Sequence, residues 1–289
     1  MLRAFLVLLA GVALVALSPT DSKLPLYADR SSAGDLEVGG DLAGLPAGST
    51  RYVRYEDLLR LPQETYAVSD DSNFPTKTKI EGVSLEALAH LIGKSSHDLL
   101  IVAVCYDRYR TNYSPDYLAT HRPLLVLRIN DQPREHWPPS EYGGSMGPYL
   151  ISHPFFKPAF KVLSHEDESQ IPFGVVRLEL RTEVEVFGAI RPGAVDRENE
   201  QVEQGYIIAR EDCFRCHNMG AEGGTMAERS WLKLADIASV DGTRFRRIIR
   251  NPGSVTPGAK MPAHADYDDA TLNALTAYFR TFAAEGKAR

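Results

Sequence analysis

The chain has 289 residues, 44% hydrophobic and 24% charged, with a net charge of −6. That length favours two domains over one, and the composition is that of a globular protein rather than a disordered or fibrous one. The acidic balance argues against nucleic acid as a partner and is compatible with a basic redox partner.

The N-terminus reads as an export signal over residues 1–21. Arg3 supplies a positive start, and Ala4 to Leu17 is an unbroken apolar run, short for a membrane span. Ala16 and Ser18 are small, and Pro19 leaves the cleavage position open. The segment is either cleaved or retained as a membrane anchor. No cysteine follows the run, which excludes a lipoprotein anchor. In both cases the bulk of the chain is expected in the periplasm or otherwise outside the cytoplasm.

A first domain is expected over residues 22–190. Residues 22–50 are rich in Gly, Ser and Asp and look irregular. Tyr55, Leu58, Leu59 and Leu61 recur at near-helical spacing, which predicts a short helix. Ser84 leads into Leu85, Leu88, Leu91 and Ile92, an amphipathic helix stopped by Gly93. Leu99 to Val104 and Leu124 to Ile129 are continuous apolar runs and read as buried strands. Asn130-Asp131-Gln132-Pro133 turns the chain. Residues 137–154 are rich in Pro and Gly and are expected to form a long loop. Val176 to Val186 alternates apolar and charged residues and predicts a half-buried strand. Strands, one or two helices and long loops make this domain α+β.

Residues 191–197 are a polar linker, and from residue 198 the pattern is helical to residue 289. Val202, Tyr206, Ala209 and Cys213 share one helical face. Gly205 inside that helix costs about 1 kcal/mol relative to Ala, so something must approach it closely. Cys213-Phe214-Arg215-Cys216-His217 follows. Cys-x-x-Cys-His is the attachment pattern of a c-type haem: the thiols add to the vinyl groups, and the adjacent imidazole takes the iron. A zinc site needs about four N/S ligands, and a thioredoxin-like dithiol belongs in a βαβ unit; neither context is present. With Cys213 and Cys216 taken by haem, Cys105 stands alone and no disulfide framework remains. Met219, Met226 and Met261 are the downstream candidates for the other side of the iron. Met219 is too near His217, Met226 needs a tight loop, and Met261 lies in Met261-Pro262 before the last helix. His264 is the reserve ligand. That last helix carries Leu272, Leu275, Tyr278, Phe279 and Phe282 on one stripe, with Asp268 placed to cap it.

Residues 198–289 resemble a class I cytochrome c: glycine and aromatic in the first helix, Cys-x-x-Cys-His, a Met-Pro loop and an aromatic terminal helix. The resemblance implies an all-α domain holding one haem c, with Cys213 and Cys216 as covalent anchors and His217 and Met261 as axial ligands. A thioether opposite His raises the potential. A haem so ligated has no room for substrate and transfers electrons.

In the first domain three stretches carry a second resemblance. They are Ile80-Glu81-Gly82-Val83-Ser84-Leu85, Val104-Cys105-Tyr106-Asp107-Arg108-Tyr109 and Gly147-Pro148-Tyr149-Leu150-Ile151. Over residues 50–187 they are similar in order and spacing to the molybdopterin-binding domain of the sulfite oxidase family. The resemblance implies Cys105 as a molybdenum ligand, with Arg108, Arg110, His121 or Arg134 holding the pterin phosphate. It also carries departures. The domain is shorter than catalytic members, and Asp107 and Tyr109 match small exported relatives whose cofactor site has degenerated. A lone Cys after an apolar strand is also the profile of a buried structural thiol. His153 is the remaining histidine to compare with a pterin site.

Three readings follow. The first is an exported monohaem electron carrier whose N-terminal module docks a redox partner or respiratory-chain component, or has lost its cofactor. The second is a molybdenum oxidoreductase that passes electrons to its own haem. The third is a five-coordinate, gas-binding haem, which requires that Met261 not ligate.

Overall fold

Leu99–Cys105 is apolar at every position, and a strand of that kind must be covered on both faces. The arrangement of the chain follows from that demand. The computed structural model describes residues 24–93, 99–140, 144–154, 156–158, 161–166 and 168–286. The apolar run Ala4 to Leu17, His97 and Gly143 lie outside them.

The N-terminal part runs β1 (Leu36–Gly40), β2 (Ser49–Val53), α1 (Tyr55–Leu58), β3 (Glu64–Val68), β4 (Thr78–Ser84), α2 (Leu85–Ile92), β5 (Leu99–Cys105) and β6 (Arg110–Tyr113). It continues through α3 (Pro115–His121), β7 (Leu124–Ile129), β8 (Gln132–Pro133), β9 (Tyr149–Ser152), β10 (Lys161–Val162), β11 (His165–Glu166), β12 (Phe173–Thr182) and α4 (Glu183–Phe187). The C-terminal part holds α5 (Glu200–Glu211), β13 (Asn218–Met219), β14 (Glu222–Gly223), α6 (Trp231–Val240), α7 (Gly242–Arg250) and α8 (Asp269–Gly286). The chain divides into a large sheet followed by helices, with the short β13–β14 ladder among the helices.

The main sheet follows the order β2-β1-β12-β9-β7-β4-β3, with β5 on β12 and β6 on β5. Only β1 and β12 run parallel among the described pairs of this sheet. β5 alternates between two cores. Ile101, Ala103 and Cys105 join Val38, Leu88 and Leu178 in one. Leu100 and Val102 join Phe187, Val202, Tyr206 and Phe214 in the other. The helical part therefore lies on the face of β5 that the sheet leaves open.

Where local pattern dominates, expectation and structure coincide. α2 starts at Ser84, whose side chain accepts from the Ala87 amide at 3.3 Å. Asn130 and Asp131 turn the chain at φ 50° and 63°, the positive pair that a two-residue hairpin loop requires. Asp268 caps α8 by accepting from the Thr271 amide at 2.8 Å.

Three expectations are corrected. Leu36–Gly40 and Ser49–Val53, within and beside a stretch that looked irregular, pair as adjacent strands. Tyr149–Ser152, inside the expected loop, is a fully buried strand between β7 and β12. The strand expected to reach Val186 stops at Thr182, where a capping box with Glu185 starts α4. That helix leaves Val184 75% exposed, so the alternation from Glu183 to Val186 is accidental.

α5 and α8 cross at Gly205. A Cβ there would lie 2.1 Å from the Ala274 carbonyl oxygen and 2.7 Å from Tyr278 Cβ. The close approach offsets the helical cost of glycine. Gly205→Ala is expected to lower the thermal midpoint, with overpacking of about 1–3 kcal/mol outweighing the gain in helix propensity. A raised midpoint in thermal denaturation followed by circular dichroism would contradict this packing.

Candidate functional site

The five residues Cys213 to His217 sit where α5 ends. α5 is capped by Asn199, which accepts from the Gln201 amide at 3.0 Å. Cys213–Arg215 then form a single 3-10 turn. The His217 amide donates to the Cys213 carbonyl at 2.9 Å, so the histidine follows the two cysteines on one tight turn. Phe214 points the other way into the helical core, fully buried against Phe187 and Trp231. The chain returns over the motif at Gly224, whose amide donates to the Phe214 carbonyl at 2.9 Å. A Cβ on Gly224 would fall 1.7 Å from the Arg215 carbonyl oxygen, so only glycine permits this return.

His217 is buried, and its Nδ1 lies 2.6 Å from the Arg229 carbonyl oxygen. A carbonyl can only accept, so Nδ1 carries the proton and the lone pair is on Nε2. Burial also lowers the basicity of the ring, which keeps the imidazole neutral and fit to bind a metal. Burial pushes the Cys213 thiol up and the Cys216 thiol up to about 11.

His217, Cys213 and Cys216 open into a cleft that Met261 and Pro262 also line. Its walls include Leu234, Ile237, Phe245, Ile249 and Phe279. Asp212, Arg215 and Arg229 line its rim with the motif, and two thiols and a pre-set imidazole at a cleft with these apolar walls are the donor set and surface that a haem c needs, so the residues present fit that group. Met261 is half-buried and packs against the helical core. His264 reaches the same cleft, with its ring 4.7 Å from that of Tyr267. Met219 packs against the helical core. Met226 is 45% exposed, with Sδ 3.9 Å from Cys216 Sγ.

The N-terminal part meets this motif through the β5–β6 hairpin. The Tyr109 hydroxyl lies 3.4 Å from Arg215 Nη1. The Thr225 amide donates to the Arg108 carbonyl at 3.2 Å. Glu222 accepts from Arg181 at 3.0 Å and stands 3.5 Å from Arg110. No sequence pattern marks these groups for this role, because even the nearest pair, Arg181 and Glu222, is 41 residues apart.

The residues that the sulfite-oxidase resemblance names for a pterin site each have their own surroundings in the structure. Cys105 is 3% exposed and belongs to the apolar core beneath the sheet, and burial pushes its thiol up. The four named side chains are engaged separately. Arg108 is exposed, Arg110 turns to Glu222, and Arg134 donates to the Gly34 carbonyl and covers the Tyr55 ring. His121 stacks on Phe156. His153 is buried beside Tyr117, with Nε2 2.8 Å from its hydroxyl.

Residues 200–279 match the family model for cytochrome c oxidase, cbb3-type, subunit III. Among curated proteins no sequence matches the chain. One solved structure that matches is the sulfane dehydrogenase SoxCD from Paracoccus pantotrophus, at 15% identity and a TM-score of 0.35, covering 54% of this chain and 41% of that one. A likeness of that size carries no argument about activity. No described helix is long and apolar enough to cross a membrane. The C-terminal part of this chain is a c-type cytochrome domain, similar over residues 200–279 to subunit III of cbb3-type cytochrome c oxidase.

Proposed function

We propose that the protein is an exported monohaem c-type cytochrome that transfers electrons, with an N-terminal α+β module that serves as a docking and shielding unit. The observation that carries this reading is His217: its Nδ1 is tied to the Arg229 carbonyl directly after Cys213 and Cys216, at an apolar cleft shared with Met261. When bound, the haem supplies a reversible one-electron couple. Cys213 and Cys216 would anchor it, His217 would offer its Nε2 lone pair to the iron, Met261 would offer its thioether, and the cleft walls would exclude water. The domain boundary falls in the polar segment 191–197, and the segment from 198 belongs to the all-α class I type. The partner is another redox protein or a respiratory-chain component that exchanges electrons in the exported compartment.

The burial of Cys105 and the separate engagements of Arg110, His121 and Arg134 support an N-terminal module that works without molybdopterin. Cys105 fills core space there, and Asp107 orders the strand-end loop by accepting from the Tyr109 amide at 3.0 Å.

Two measurements test the reading. Protein made in a host that matures both cofactors is expected to contain about one iron per chain and no molybdenum, with the haem surviving denaturing electrophoresis. Cys213→Ala combined with Cys216→Ala should lose the covalent haem. A molybdenum content near that of iron would replace the carrier reading with the oxidoreductase one. Met261→Ala should open the iron, remove the weak far-red ferric band and lower the midpoint potential. An unchanged spectrum and potential would assign the sixth position to another group, with His264 the next to replace.

A further inference from the structure

Arg215 is one of the two residues between Cys213 and Cys216, and it is a charge in a place where the fold excludes water. Its side chain is 12% exposed. Nε donates to the Glu211 carbonyl at 2.5 Å, and Nη1 stands 3.4 Å from the Tyr109 hydroxyl. Nη2 is fully buried and without a hydrogen bond. The Asp212 carboxylate stands 3.8 Å from it. Asp212 is itself engaged, since it accepts from the Tyr267 hydroxyl. The guanidinium stays charged at every working pH. The Asp212 and Glu168 carboxylates both oppose this charge, yet Nη2 makes no hydrogen bond, and a cation held this deep without full hydrogen bonding costs free energy. A neutral side chain would avoid that cost.

The position gives the charge a use. Arg215 lines the same cleft as His217 and Met261. A haem there gains one electron on reduction, so its charge falls by one and no bond forms or breaks. A neighbouring cation favours the reduced form, and burial keeps that preference from being screened by water or salt. Burial is supplied from the N-terminal part. Tyr109, at the foot of β6, closes over the guanidinium, and the Arg108 carbonyl ties down Thr225 on the returning chain.

We propose that Arg215 is a positioning residue for charge: it raises the reduction potential of the haem held by Cys213, Cys216 and His217, and Tyr109 of the N-terminal module holds that charge dry and in place. This rests on the haem reading above. It gives the N-terminal module a role in electron transfer that needs no cofactor of its own.

The test is a spectroelectrochemical titration of full-length holoprotein and its Arg215→Gln, Arg215→Lys and Tyr109→Phe variants, each at low and high salt. Arg215→Gln is expected to shift the one-electron equilibrium at least tenfold toward the oxidised form, a fall of about 59 mV or more, at both salt levels. Arg215→Lys should retain most of the wild-type potential, and Tyr109→Phe should fall between. An unchanged potential in a haem-bearing Arg215→Gln protein overturns the proposal. So does an equal shift in Arg215→Lys, which would make packing rather than charge the cause. If Arg215→Gln does not mature, Tyr109→Phe decides, and an unmoved potential there overturns it. Wild-type protein without covalent haem would instead overturn the haem reading itself.

Discussion

Strand β5 has no face it can give to water. One row of its side chains belongs to the core under α2, and the other row belongs to the core built by α5, α6 and α8. Removing the helical part would expose Leu100 and Val102, at about 25 cal/mol for each Å² of apolar surface. The contact between the two parts is therefore part of the fold's apolar interior rather than a polar surface encounter. It also fixes where the end of β5 falls: the chain leaves Cys105 and runs through Tyr109 beside the Cys-x-x-Cys-His turn. The half-buried group of Arg110, Arg181 and Glu222 locks the same hairpin against the β13–β14 ladder.

That placement surrounds the motif with backbone contacts. The His217 ring is oriented by a backbone carbonyl, not by a mobile side chain. Gly224 lets the returning chain bond directly to the motif. Supporting contacts of this kind set ligand tautomer and orientation before a metal arrives. The tilt of the motif is set in turn by α5, which crosses α8 at the distance that Gly205 allows.

The N-terminal sheet is organised differently. Cys105 stands at the end of an apolar strand and is buried in the core beneath the sheet, with Asp107 and Cys216 near enough to act on its thiol. The arginines nearby serve other ends: Arg134 lies over Tyr55 and Tyr149, and Arg110 belongs to the contact with the helical part. At this end of the sheet Arg215 donates to the Tyr109 hydroxyl at 3.4 Å.

Chemistry that depends on spacing along the chain is legible in the sequence itself. Cys213, Cys216 and His217 sit within one turn whatever surrounds them, and β5, α2, the Asn130-Asp131 turn and α8 declare themselves by run, cap and periodicity. Gly205 is legible as a demand, since a glycine inside a helix implies a close neighbour. Long-range pairing is not legible in this way. Tyr149–Ser152 is a strand because β7 and β12 offer it both edges, although its flanking Pro and Gly read as loop. Leu36–Gly40 is a strand because β12 lies beside it. Glu183–Phe187 alternates like a strand, and becomes a helix where the Thr182–Glu185 box and the end of the sheet take over. The burial of Cys105 and the meeting of Arg215 with Tyr109 depend on which face of β5 meets which core. Sequence separation hides such contacts, because they are set by the packing of whole layers and not by the local preferences of the residues that make them.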